Sequence, residues 1–226
     1  MNKRIVLSWS GGKDSCLALD TLIQQGYEVI SLVTTKPQDG DRTFAHDERT
    51  EMIQLQGQAL SIPVHFIEST FETYTEQFIN AIISLKNNYQ ITGIAFGDLY
   101  LEGHREWGEK VAAVAGVEAL YPLWTTKDAA LQSLQQFVQS RYQAVVIRVR
   151  EDVLDESWLG RLVNESFLQD VQHAPICPMG ESGEYHTFVF DGPLFKTRIH
   201  LELGEIIQLD HSKRLEFKNF HLMSTS

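Results

Sequence analysis

The chain has 226 residues, 43% of them apolar and 22% charged, a balance that excludes a disordered or fibrous protein. The length suits one large domain, or one with a small appendage, and folding at this size hides roughly 70% of the unfolded surface, enough for a core without disulfide or metal staples. Nineteen basic residues against thirty acidic ones give a formal charge of −11, which disfavours a broad grip on nucleic acid.

In chain order, Arg4 to Trp9 is a short β-prone run, broken by Ser10-Gly11-Gly12 and followed by an amphipathic stretch from Asp14 to Gln25. Cys16, Leu19, Leu22 and Ile23 share one face of that helix. A buried strand follows at Glu28–Thr35, then a helix from about Asp47 to Leu60 and a strand at Val64–Ile67. Phe71–Leu85 has helical spacing of large apolar residues, and Ile91–Phe96 is a fourth strand. A helix from about Gly103 to Ala115, with Trp107, Val111 and Val114 as its buried stripe, and a strand near Ala119–Leu123 complete an alternation that implies a parallel sheet with helices on both faces. The helix at Lys127–Gln139 and the strand at Ala144–Val149 are expected to extend or cap that sheet. From Pro175 onward, strands at Tyr185–Phe190, Arg198–Leu203, Ile206–Leu209 and Arg214–Phe220 suggest a hairpin-rich tail. The expected organisation is therefore one domain at 1–125 and a smaller α+β domain at 126–226.

No apolar run reaches the roughly 18 residues that span a bilayer, and Ile5-Val6-Leu7 is too short for a signal peptide, so a cytoplasmic protein with no membrane partner is expected. Cys16 and Cys177 form no Cys-x-x-Cys pair and read as small buried residues. The eight histidines include no His-x-x-x-His or Glu-x-x-His pair, so no transition-metal centre is expected.

The most informative segment is Ser10-Gly11-Gly12-Lys13-Asp14-Ser15, where a parallel strand gives way to a helix. Open α/β sheets bind ligands beyond the carboxyl ends of their strands, and a helix N-terminus offers unpaired N–H groups. Glycines admit an anion to the backbone, Ser8, Ser10 and Ser15 add hydroxyls, and Lys13 adds a cation. A plain capped turn would need only Ser10 and the glycines; the full hexapeptide favours phosphate. It is neither the Walker pattern nor Gly-x-Gly-x-x-Gly. Asp14 beside a phosphate suggests a bridging Mg²⁺.

This hexapeptide resembles the pyrophosphate loop of the N-type ATP pyrophosphatases, which implies a Rossmann-like, adenine-nucleotide α-hydrolase-like fold and cleavage of ATP to AMP and pyrophosphate. Near the C-terminus, Glu181-Ser182-Gly183-Glu184-Tyr185-His186-Thr187 runs towards Pro193-Leu194-Phe195, and Leu120-Tyr121-Pro122-Leu123-Trp124 follows the fifth strand. With the loop, these segments resemble the diphthine-ammonia ligase family. The resemblance implies an ATP-dependent ligase in which Lys13, Asp14, Glu181 and Glu184 are catalytic. A carboxylate-bearing acceptor is adenylated, and ammonium displaces AMP. The pattern departs at Ser182, where glycine is usual, at His186, where an acidic residue is usual, and across 97–105, which resembles a divergent bacterial branch.

Gly97 and Asp98 end the fourth strand at the loop's own sheet edge, so they join Ser8 and residues 10–15 as nucleotide-site candidates; Asp98 suits a cation there, or simply starts the next turn. His46 and Arg49 on the second helix and His104 and Arg105 on the fourth are candidate acceptor-binding residues, with Glu181, Gly183, Glu184, Tyr185 and Thr187, although solvated helix faces would look the same. Homodimerisation is left open. Two other readings share the loop: a tRNA-modifying enzyme, which the acidic charge opposes, and a non-catalytic ATP or AMP sensor, which does not need so full an anion cradle.

Overall fold

A computed structural model describes residues 3–44 and 46–223. The chain divides into two compact units: Met1–Ser10 with Asp14–Gln58 and Ile62–Trp124, and Gly11–Lys13 with Ala59–Ser61 and Thr125–Ser226.

The first unit is built on five strands, β1 (Arg4–Ser8), β2 (Glu28–Pro37), β3 (Val64–Ser69), β4 (Gly93–Ala95) and β5 (Glu118–Leu120), in the order β3-β2-β1-β4-β5. Every pairing is parallel. Each crossover runs through a helix: α1 (Lys13–Gln24), α2 (Thr50–Leu60), α3 (Tyr74–Tyr89) and α4 (Glu102–Ala115). This is a Rossmann-like α/β sheet. Central strands covered on both faces must be apolar throughout, and Ile5, Val6 and Leu7 are fully buried. On one side Phe78, Ile82 and Leu85 of α3 and Val111, Ala112 and Ala115 of α4 pack with Val6, Val33, Ile94 and Phe96. Each Val, Leu, Ile or Phe side chain among them contributes about 1.5–3 kcal/mol when fully buried. The two helices stop where the backbone turns left-handed, α3 at Gln90 (φ 58°) and α4 at Gly116 (φ 69°), and the Lys86 ammonium donates to the Ala115 and Gly116 carbonyls at the end of α4.

The second unit carries α5 (Ala130–Gln139), α6 (Glu165–Val171) and an antiparallel sheet of β6 (Gln143–Arg150), β7 (Tyr185–Asp191), β8 (Ile199–Gln208) and β9 (Ser212–Leu222), ordered β7-β6-β9-β8. The Val-rich β6 does not extend the parallel sheet as its sequence suggested; it pairs antiparallel with β7 and β9. A buried apolar run carries no record of its neighbours' direction. The two expected strands at 198–203 and 206–209 are one, β8, with a register shift between Leu203 and Ile206. Gly204 sits in that irregularity, where a Cβ would approach the Glu216 carbonyl oxygen to 2.7 Å. The short α6 escaped sequence reading; the Asn164 side chain caps it by accepting from the Phe167 amide.

Three apolar positions also differ from expectation. Ile23 and Val114 are exposed because each lies past the edge of its helix's covered stripe. Phe71 precedes α3 and is 83% exposed, touching Phe44 by a tilted ring contact.

Candidate active site

In the first unit the chain leaves β1 to one side for β2 and β3 and returns on the other for β4 and β5, so the switch point lies between β1 and β4. Ser8 ends β1. The Trp9 amide prolongs the ladder onto the Val33 carbonyl (2.8 Å), and its indole N–H is held by Gln56 Oε1 at 2.9 Å. The entry to the loop is thereby anchored. The Ser10 and Ser15 hydroxyls lie 3.3 Å apart, and Asp14 stands in the first turn of α1. Gly97 accommodates that turn: a Cβ there would meet the Asp14 carbonyl carbon and the Ser15 amide nitrogen at 3.2 Å.

Beside Gly97, Asp98 Oδ1 lies 2.8 Å from His104 Nδ1, joining the end of β4 to the first turn of α4. Burial raises the Tyr74 and Tyr121 phenol pKa values, and the Asp98 charge pushes both further up, so both remain protonated at neutral pH. The Tyr121 hydroxyl donates to the Arg105 carbonyl (2.9 Å). The Arg105 guanidinium bonds Glu109 and lies 4.9 Å from the Trp124 ring centroid. Arg105 is thus committed within its own helix and to an aromatic face. His46 and Arg49 do not share a face of the second helix as their spacing suggested. The helix begins only at Thr50, and both precede it in a turn where Asp47 is left-handed (φ 56°) and Arg42 bridges to Arg49.

In the second unit, Gly11 (φ 81°) gives its carbonyl to the Val189 amide of β7 at 3.0 Å. The Lys13 amide donates to Thr187 Oγ1 at 3.0 Å. Lys13 is only 2% exposed; its ammonium donates to the Met179 carbonyl and lies 4.6 Å from the Tyr185 ring centroid. Gly12 is buried as well.

The carboxylate of Glu184 is 6% exposed and braces its own loop: Oε1 accepts from the Cys177 amide (3.1 Å) and Oε2 from the Ser182 amide (2.9 Å). Tyr185 donates to the Pro178 carbonyl. Gly180 (φ 65°) must lack a side chain, since a Cβ would reach the Tyr185 carbonyl oxygen at 2.8 Å. Glu181 and Gly183 (φ 78°) are partly exposed in the same loop. Sequence reading singled out Glu184 and Thr187 but did not foresee the Met179 carbonyl or the Cys177 amide, whose contributions are main-chain groups that any residue would bring.

Mg²⁺ accepts one or two carboxylates together with phosphate oxygens and keeps several waters. Among the described residues no group of three or more His, Cys, Asp and Glu side chains is gathered for a metal. Asp14 supplies a single carboxylate, a donor set that fits a nucleotide-borne ion rather than a protein cage. No helix among the described residues is long and apolar enough to cross a membrane.

A parallel sheet of this order, with a glycine-hydroxyl-lysine loop after its first strand, defines a nucleotide-dependent enzyme of Rossmann-like class. The profile of the diphthamide synthase N-terminal domain matches residues 2–119, and that of the diphthamide synthase C-terminal domain matches residues 129–219. The chain belongs to the diphthamide synthase family. It is similar to proteins named diphthine--ammonia ligase from Rattus norvegicus and Homo sapiens, each 26% identical over 90% of this chain and 85% of the relative. It is also 28% identical to the Schizosaccharomyces pombe protein of that name over 88% of this chain, although only 36% of that longer relative is covered. The chain is an ATP-dependent ligase.

Proposed function

We propose that the chain cleaves ATP to AMP and pyrophosphate, adenylates a carboxylate and passes the acyl group to ammonia. The observation that carries this reading is the Ser10–Ser15 loop at the β1/β4 switch point of a diphthamide synthase family sheet. Residues 10–15 take the β and γ phosphates at the start of α1, whose dipole favours negative charge, with Ser8, Gly97 and Asp98 at the adjoining strand ends. The buried charge of Lys13 adds to that field, which stabilises the leaving pyrophosphate. Asp14 holds Mg²⁺ together with phosphate oxygens; the ion supplies neutralising charge. Glu181 is the carboxylate that meets the acceptor or ammonium, Glu184, Tyr185 and Gly183 hold its loop in shape, and Thr187 holds the Lys13 amide. His46, Arg49, His104 and Arg105 are the acceptor-side candidates.

The relatives' name makes diphthine the first acceptor to try. Ser182, His186 and residues 97–105 are where this chain is expected to differ in acceptor choice. The enzyme acts in the cytoplasm, where ATP is supplied. A tRNA-modifying role and a passive sensor are not favoured, because the family match extends through the C-terminal domain as well.

The test is to incubate the protein with ATP, Mg²⁺, ammonium and a diphthine-bearing protein or a panel of carboxylates. Matched amounts of AMP and pyrophosphate are expected; ADP and phosphate would overturn the reading.

A further inference from the structure

Strands β8 and β9 form a long antiparallel hairpin in which His200 stands directly opposite His221. Their imidazole centroids are 4.9 Å apart with the rings inclined at 36°. Ile199, beside His200, is fully buried, so the period-two alternation of a strand sends His200 and Glu202 to the outer face, with Asn219 and His221 across from them. All four are exposed. Directly opposed residues hold their Cβ atoms about 4.5–5.5 Å apart, so two imidazoles there reach one point in space from a rigid ladder. Packing does not account for the pair: exposed side chains bury little, and two histidines opposed in a ladder repel once protonated.

We propose that His200 and His221 form a two-imidazole chelate for a borderline divalent ion of the Zn²⁺, Cu²⁺ and Ni²⁺ class. Imidazole nitrogen suits these ions, and neutral histidine is their commonest protein ligand. No third His, Cys, Asp or Glu completes a cluster among the described residues, so water fills the remaining positions and the site is an open clip rather than a closed structural centre. Glu202, next along the same face, adds negative charge near the ion. Twenty-one positions separate the two histidines, which is why no linear motif announced them; only strand register brings them together. Neither histidine is among the residues assigned above to the nucleotide or the acceptor.

The site is tested by calorimetric titration of Zn²⁺ into the tag-free full chain, with denaturant midpoint as a second readout. One ion per chain is expected. Loss of either partner removes chelation, so His200→Ala and His221→Ala should each weaken binding by roughly 100-fold, and the double variant should be no weaker than either single one. His173→Ala and His211→Ala should bind as the parent does. Zn²⁺ should raise the denaturant midpoint of the parent and not that of the double variant. One-to-one zinc binding that survives in the double variant, or a parent that binds no more tightly than it, would overturn the proposal.

Discussion

Glu184 shows how much a single buried carboxylate can organise. Its two oxygens accept from two amides of one loop, so Glu184→Ala removes both of these bonds and should cost roughly 1–3 kcal/mol in urea unfolding. Glu184→Gln keeps one acceptor oxygen and should lose less. Cys16 gives a pH signature of its own. Burial raises its thiol pKa well above the ordinary 9.0, with Asp20 adding to the effect. Above about pH 9 the unfolded chain releases this proton while the folded chain retains it, so stability falls as pH rises through that range. Unfolding free energies measured across it should decline in the parent, with a shallower decline in Cys16→Ala.

Elements here are positioned by what glycine lacks. On α4, a Cβ at Gly108 would lie 2.2 Å from the Tyr121 hydroxyl, so that helix can pack over the exit of β5 only because the position is bare. Gly108→Ala should destabilise by about 1–3 kcal/mol. Adding Tyr121→Phe removes the nearest clashing atom, and the double variant should be less destabilised than the two single changes summed, a coupling that thermal or urea unfolding reads directly. Gly97→Ala acts on the start of α1, pressing on the Asp14–Ser15 backbone. It should weaken ATP binding by isothermal titration more than it lowers stability, since the turn it displaces is the proposed phosphate contact.

For the molecule as a whole, a ligand that binds only the folded state stabilises it by mass action, about 2.7 kcal/mol at one hundred times its dissociation constant. Saturating ATP with Mg²⁺ should therefore raise the melting temperature of the parent. Lys13→Met, which keeps the side-chain length and removes the charge, should shrink that rise in differential scanning fluorimetry. An undiminished rise would dismiss Lys13 from nucleotide binding and leave it a purely structural cation on the Met179 carbonyl.

The parallel sheet was readable because its signals are local: an apolar run with both faces covered, a glycine break and a helical stripe each lie within a dozen residues. The phosphate-loop candidate was readable for the same reason, as a contiguous hexapeptide at a strand-to-helix junction. The direction in which β6 pairs, the burial of Lys13 and the meeting of His200 with His221 were not, because each depends on partners far along the chain; the brace made by Glu184 is local but runs to main-chain amides, which no residue type marks. The amino-acid order by itself determined the alternating α/β architecture and the place of the glycine-hydroxyl-lysine loop, since periodicity and turn chemistry act over a few residues. Only the tertiary structure decided which groups those side chains face, because strand register and main-chain carbonyls carry no residue-specific mark.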